Sequence, residues 1–130
     1  MRIEHVAIYV QDLENAKRFF VEQLGGKAGD LYHNAKTGFR SYFISFEGGA
    51  RLEIMSKPGV GGSLSADSLH ESLGYAHVAF SVGSKENVDA VTAALKAAGY
   101  DVLSGPRTTG DGYYESCVAA IEGIRVEITV

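Results

Sequence analysis

The chain has 130 residues, of which 45% are hydrophobic and 22% charged, with a formal net charge of −4. That length admits one domain or two very small modules sharing a core, and the composition is that of a soluble globular protein. Two classes are disfavoured: no Lys/Arg run or basic stripe offers itself to nucleic acid, and no apolar run approaches the roughly 20 residues that span a bilayer.

Residues 2–10 alternate as a strand, with Val6, Ile8 and Val10 on one face and His5 on the other. No apolar stretch of signal-peptide length occurs at this end, and the one cysteine, Cys117, can form no internal disulfide; both point to a cytoplasmic setting. Asp12 is placed to cap a helix over Leu13–Leu24, on which Leu13, Ala16, Phe20 and Leu24 form an apolar stripe widened by Phe19. Gly25-Gly26 ends it. A short strand is expected around Leu31 and Tyr32, then a longer one from Phe39 to Phe46. The turn Glu47-Gly48-Gly49 joins that strand to Arg51-Leu52-Glu53-Ile54-Met55 as a hairpin. Residues 56–73, rich in Ser and Gly with Pro58, read as a linker. Beyond it come a strand over 75–82, then a helix capped by Ser84 with Val88, Val91, Leu95 and Ala98 on one face, stopping at Gly99. A weak strand near Val102-Leu103 and a hairpin of 113–121 with 124–130 complete the chain.

The second half repeats the first. Arg51-Leu52-Glu53-Ile54 returns 74 residues later as Arg125-Val126-Glu127-Ile128, and Gly38/Gly112 and Gly49/Gly123 keep the same offset. The strand Ile3–Val10 is echoed by Tyr75–Val82 at an offset of 72. The chain therefore reads as two βαβββ modules, about 1–55 and 74–130. Neither can bury both faces of its sheet alone, so the modules are expected to pair.

His5, Glu53, His77 and Glu127 recur in order on equivalent strands, each on the face opposite the apolar residues. A lone strand His is more often a hydrogen-bonded structural residue, and a lone strand Glu is more often exposed. Duplication would preserve the apolar positions, yet the polar ones match as well. Two imidazoles and two carboxylates suit a borderline divalent ion, and such an N/O site is expected to leave two positions open for water or substrate. Structural zinc sites are usually closed and cysteine-rich, which this chain does not supply. Arg51 and Arg125 share the strand face of the glutamates and are candidates for an anionic substrate, or for pairing with rim carboxylates. Gly110-Asp111-Gly112-Tyr113-Tyr114-Glu115 reads as a turn into a strand whose aromatics fill the core, with a mobile lip over substrate as the functional alternative. Tyr42 and Phe39, as repeat counterparts, are candidates to line the same concave face. Cys117 is expected to pack as a small hydrophobe, and His33 and His70, outside the repeat, to lie at the surface.

On these residues the sequence resembles the vicinal oxygen chelate superfamily over its whole length, and within it glyoxalase I (lactoylglutathione lyase). The resemblance implies an α+β fold of two paired βαβββ modules forming an eight-stranded, open, bowl-shaped sheet, as in the glyoxalase/bleomycin-resistance/dioxygenase proteins. It places His5, Glu53, His77 and Glu127 at the metal-ligand positions for one divalent ion per site, nickel, zinc or manganese. Extradiol dioxygenases and fosfomycin-modifying relatives typically use two His and one Glu, so Glu53 marks the glyoxalase-like branch; a metal-dependent epimerase is close. The implied activity is isomerisation of a small 2-oxoaldehyde–thiol hemithioacetal, or a related vicinal-oxygen substrate, through an enediolate, with Glu127 first and Glu53 second as the base. The alternative is a drug- or antibiotic-binding resistance protein of the same fold. Three departures bear on the substrate: Tyr9 stands where glutathione-using members usually have Arg, Lys57 where Asn is common, and Ile121-Glu122-Gly123 replaces an Asp-Pro-x-Gly turn. The first two argue against glutathione; Tyr9, Arg51, Tyr113, Tyr114 and Arg125 are the substrate-contact candidates. A homodimer with two equivalent sites is expected. An 18-residue flexible linker spans roughly 20–25 Å, enough for modules to pair within a chain or, the preferred reading, to exchange between chains.

Overall fold

Alternation after Glu4 produces the first strand, β1 (His5–Tyr9), and Asp12 then starts a helix as its side chain accepts the Asn15 N–H at 2.9 Å. The structure, a computed structural model, describes residues 3–61, 76–110 and 112–130. Of the expected linker 56–73, residues 62–73, with His70, lie outside these residues, as do Tyr75 and Asp111. The chain divides into two compact units, Met1–Gly62 and Ser63–Val130, each α+β.

In the first unit the helix is α-helical only over α1 (Leu13–Arg18); Phe19–Gln23 continue it as a wider π-helical turn. Two adjacent aromatics are turned inward there, Phe19 and Phe20, packed edge to face at 5.1 Å. Gly25, at φ +69, ends the turn in the left-handed conformation open to glycine. Gly26 lies so close to Ile44 Cγ2 and the Phe20 carbonyl that an added Cβ would meet them at 2.5 and 2.9 Å. Four strands follow: β2 (Lys27–Ala28), β3 (Tyr32–Asn34), β4 (Phe39–Ser45) and β5 (Arg51–Ser56). The sheet order is β1-β5-β4-β2 with β3 also on β4, and only β1/β5 is parallel. The single weak strand anticipated here is thus two short ones. Between them the Gly29 N–H still donates to the Phe43 carbonyl at 2.9 Å, but the ladder lapses.

The second unit runs β6 (Val78–Ser81), α2 (Lys85–Ala97), β7 (Asp101–Thr108), β8 (Tyr114–Ala119) and β9 (Arg125–Thr129). Its order is β6-β9-β8-β7, with β6/β9 parallel. Ser84 caps α2 by accepting the Asn87 N–H at 3.1 Å. β7 is longer than its sequence suggests, because register shifts on both sides of Ser104 break the apolar alternation that marks a strand. His77 sits just before β6 rather than within it. The two units together have nine described strands instead of eight, in the α+β arrangement the repeat implies.

Each sheet buries one face under its helix. Ile44, Leu52 and Ile54 are buried on the α1 side, and Val118, Val126 and Ile128 on the α2 side. α1 is further tied to β4 through Glu14, which accepts from Lys17 at 2.7 Å, Arg40 at 3.2 Å and the Tyr42 hydroxyl at 2.9 Å. Lys17 and Tyr42 together hold the Glu14 carboxyl below its usual range. Tyr42 is therefore buried on the helix side and does not line the opposite face. No helix among the described residues is long and apolar enough to cross a membrane.

Candidate functional site

The first and last strands of each unit are parallel neighbours, and this connection brings the histidines to the glutamates. Ala7 lies opposite Glu53 across β1/β5, and Ala79 opposite Glu127 across β6/β9. With a period of two, the residue two positions before each alanine points to the same face; that residue is His5 in one unit and His77 in the other. The alanines leave room for both side chains. His5 Nε2 comes within 3.9 Å of Glu53 Oε2, and His77 Nε2 within 3.1 Å of Glu127 Oε2. The carboxylates are recessed, 14% and 19% exposed, while the imidazoles stand out at 41% and 43%.

Two donors bound to one first-row divalent ion at about 2.1 Å each lie about 3.0–3.6 Å apart at bond angles of about 90–120°. The His77–Glu127 pair has that spacing, the His5–Glu53 pair is slightly wider, and both carry donor types that such an ion takes. Among the described residues no three His, Cys, Asp or Glu side chains converge at ion-binding distance. Within the units the structure joins His5 with Glu53 and His77 with Glu127.

The surroundings of the two pairs differ. Glu4 Oε2 contacts His5 Nδ1 at 2.5 Å, and Glu4 Oε1 accepts from Arg51 Nε at 2.9 Å and from Arg51 Nη2. Hydrogen bonds from His5 first and Arg51 second hold the exposed Glu4 carboxyl below its usual range. Arg51 also lies 4.1 Å from the centroid of Phe43, and His5 packs edge-on against that ring at 5.3 Å. Phe43 faces Glu53 across β4/β5. Its repeat counterpart is Cys117, facing Glu127 across β8/β9. Burial, then the charge of Glu127, push the Cys117 thiol pKa up. Cys117 is half-buried on the glutamate face, not among the packed apolar residues on the helix side.

The remaining candidates separate. Tyr9, 44% exposed, ends β1 on the His5 face. Tyr113, 55% exposed, precedes β8 and takes the Thr109 N–H on its carbonyl at 2.8 Å. Tyr114 points the other way: its hydroxyl donates to Asp89 of α2 at 2.8 Å, and Lys85 Nζ lies 5.2 Å from the ring centroid. Arg125, unlike Arg51, has no ion-pair partner among the described residues. Glu4 and Phe43 escaped the sequence reading. Glu4 has no counterpart in the second module, where Ala76 stands. Phe43 and Cys117 are related by the same 74-residue offset as the glutamates, but their place on the site face depends on strand register.

Comparison with known proteins bears on the family. Residues 2–128 match the Glyoxalase/Bleomycin resistance protein/Dioxygenase superfamily. A protein of Bacillus subtilis (strain 168), YqjT, is 31% identical over 133 aligned positions, covering 97% of this chain and 96% of its own. The crystal structure of a glyoxalase family protein from Bacillus cereus superposes with a TM-score of 0.82 at 19% identity, over 99% of this chain and 93% of the other. The trypanothione-dependent glyoxalase I of Leishmania major superposes with a TM-score of 0.76 at 20% identity, over 98% and 85%. With the repeated strands, the matched span and these neighbours in agreement, the chain belongs to the glyoxalase/bleomycin resistance protein/dioxygenase superfamily.

Proposed function

We propose that this protein is a metal-dependent lyase or isomerase of the glyoxalase I kind, acting on a small substrate with two adjacent oxygens, such as a 2-oxoaldehyde–thiol hemithioacetal. The observation that carries the reading is the imidazole–carboxylate pair, repeated at the same strand register in both units. In this reading His5, Glu53, His77 and Glu127 hold one divalent ion, nickel, zinc or manganese. An ion held there would supply Lewis-acid polarisation of the two substrate oxygens and offset the negative charge that develops on them. Glu127 supplies the base: its carboxylate takes the proton from the carbon that bears the hemithioacetal hydroxyl and sulfur and returns it to the neighbouring carbonyl carbon, while the hydroxyl proton passes to the former carbonyl oxygen. The electron pair stays within the substrate, so no external oxidant or reductant is needed. Glu53 is the second candidate for this role. Arg51 is engaged by Glu4, which leaves Arg125 to meet an anionic group, with Tyr9 and Tyr113 as exposed aromatic rims.

Metal content after purification without added metal, followed by turnover of glutathione and bacillithiol hemithioacetals, tests the proposal. About one ion per complete four-ligand site and turnover of at least one adduct are expected; absence of binding by the intact protein, in elemental analysis and in added-metal thermal shifts alike, overturns it. A second reading, a metal-free small-molecule binder of the same superfamily, draws on the absence of any three-donor cluster among the described residues. Ligand binding that survives chelation and does not respond to metal would favour it.

A one-module sheet leaves an open edge and an uncovered face, so a homodimer with two equivalent sites is the expected assembly; each chain carries both kinds of half-site, which can pair within a chain or, the preferred reading, between chains. Exchange of modules between chains is tested by mixing His5→Ala chains with Glu127→Ala chains. Exchange rebuilds one intact site per heterodimer, from His5 and Glu53 of one chain with His77 and Glu127 of the other. Recovery of activity or metal binding on mixing is expected; a verified heterodimer with no recovery rules exchange out.

A further inference from the structure

We infer that Glu4 is a positioning residue that fixes the tautomer and aim of His5 and so preorganises the first half-site. The inference deepens the metal-site reading and rests on it for its consequence, though not for its geometry. Arg51 takes Glu4 Oε1, which leaves Oε2 to accept from the His5 ring. The 2.5 Å contact between Glu4 Oε2 and His5 Nδ1 therefore assigns a proton to Nδ1, which in the neutral ring leaves the lone pair on Nε2, the nitrogen facing Glu53.

The sequence explains how a residue adjacent to His5 can reach its ring. Within a strand, neighbours point to opposite faces, but Glu4 precedes β1 and is free of that alternation. Arg51 anchors it twice, through its guanidinium and through its backbone N–H, which donates to the Glu4 carbonyl at 2.9 Å. The Phe43 ring, against both Arg51 and His5, closes the arrangement. In the second unit Arg125 is retained, but the position equivalent to Glu4 is Ala76. Among the described residues, His77 has no carboxylate on Nδ1. Carboxylates that back a metal-binding His in this way typically contribute 10–100-fold in metal affinity.

The test is long-range ¹H–¹⁵N NMR of the four histidines in metal-free protein at pH 8, where a neutral imidazole reports its tautomer, with His5 assigned by its loss in His5→Ala. Wild type is expected to show His5 in the Nδ1–H form. Glu4→Ala should move it toward Nε2–H, the form a free imidazole prefers. Glu4→Gln, whose carbonyl still accepts from Nδ1–H, should largely keep it. In competition with a chelator, zinc should bind about 10–100-fold more weakly to Glu4→Ala than to wild type, with Glu4→Gln between them. Nε2–H in wild type, or a tautomer indifferent to Glu4→Ala, overturns the inference; the wild-type spectrum alone suffices should a variant misfold. If the tautomer responds as expected while wild type takes up no zinc, nickel or manganese, the positioning role stands and the metal reading fails.

Discussion

Replacing Glu127 by Gln is expected to lower turnover by about 10²–10⁴-fold, the usual contribution of a positioned general base, while leaving the fold and part of the metal affinity in place. The amide is isosteric and keeps one oxygen donor, but at neutral pH it accepts no proton. Glu127 is anchored in β9 between β6 and β8 and recessed to 19% exposure, so the substitution changes chemistry more than packing. The control is Glu47→Gln, in the exposed turn between β4 and β5, which should stay within about twofold of wild type; surface changes of this kind rarely disturb a protein. Glu4 is no control, since its contact with His5 gives it a part in the site. Glu53→Gln is the second comparison: whichever glutamine variant loses more turnover per bound ion identifies the base. An equal, small loss in both would refute proton transfer by either carboxylate.

Phe20→Ala should cost about 3–5 kcal/mol of stability, as truncation of a buried aromatic usually does. Against the 5–15 kcal/mol that hold a domain together, that is a lowering of the thermal midpoint by roughly 10–20 °C. The side chain is fully buried, packs edge-on against Phe19, and sits where the π-helical turn meets Gly26 and β4. Its removal leaves a void that the closely approached backbone at Gly26 cannot readily fill. Val60→Ala, at a 45% exposed position, should shift stability by less than about 0.5 kcal/mol. A loss below about 1 kcal/mol for Phe20→Ala, measured by thermal or denaturant unfolding, would contradict this account of the core.

Strand and helix identity were legible where the local pattern and the packing face agree. Period two in the β5 and β9 segments gave the buried Leu52/Ile54 and Val126/Ile128 directly, and Asp12 and Ser84 marked both helix starts through caps that need only neighbours three residues on. Legibility fell where tertiary contacts override local pattern. The π-helical turn follows from turning Phe19 and Phe20 inward together, the split of β2 from β3 from how that segment meets β4, and the length of β7 from shifts that hide its alternation. By sequence Tyr42 is a candidate to line a concave face and Tyr114 a candidate for substrate contact, but their hydroxyls reach the helices, at Glu14 and Asp89. Strand parity sets this, and parity can be assigned only once a strand's partner is known.

By itself the sequence determined the duplication, the α+β modules and the four matched polar residues, because a repeat carries its own register: an offset shared by Arg51/Arg125 and Glu53/Glu127 needs no coordinates. Only the tertiary structure decided which atoms meet. The parallel pairing of first and last strands sets His5 beside Glu53 and His77 beside Glu127 at 3.9 and 3.1 Å, an arrangement made by chain connection rather than by local preference. It also broke the symmetry that the repeat suggests, giving Glu4 to His5 and Arg51 to Glu4, because a side chain just outside a strand goes where its partners are rather than where the alternation would send it.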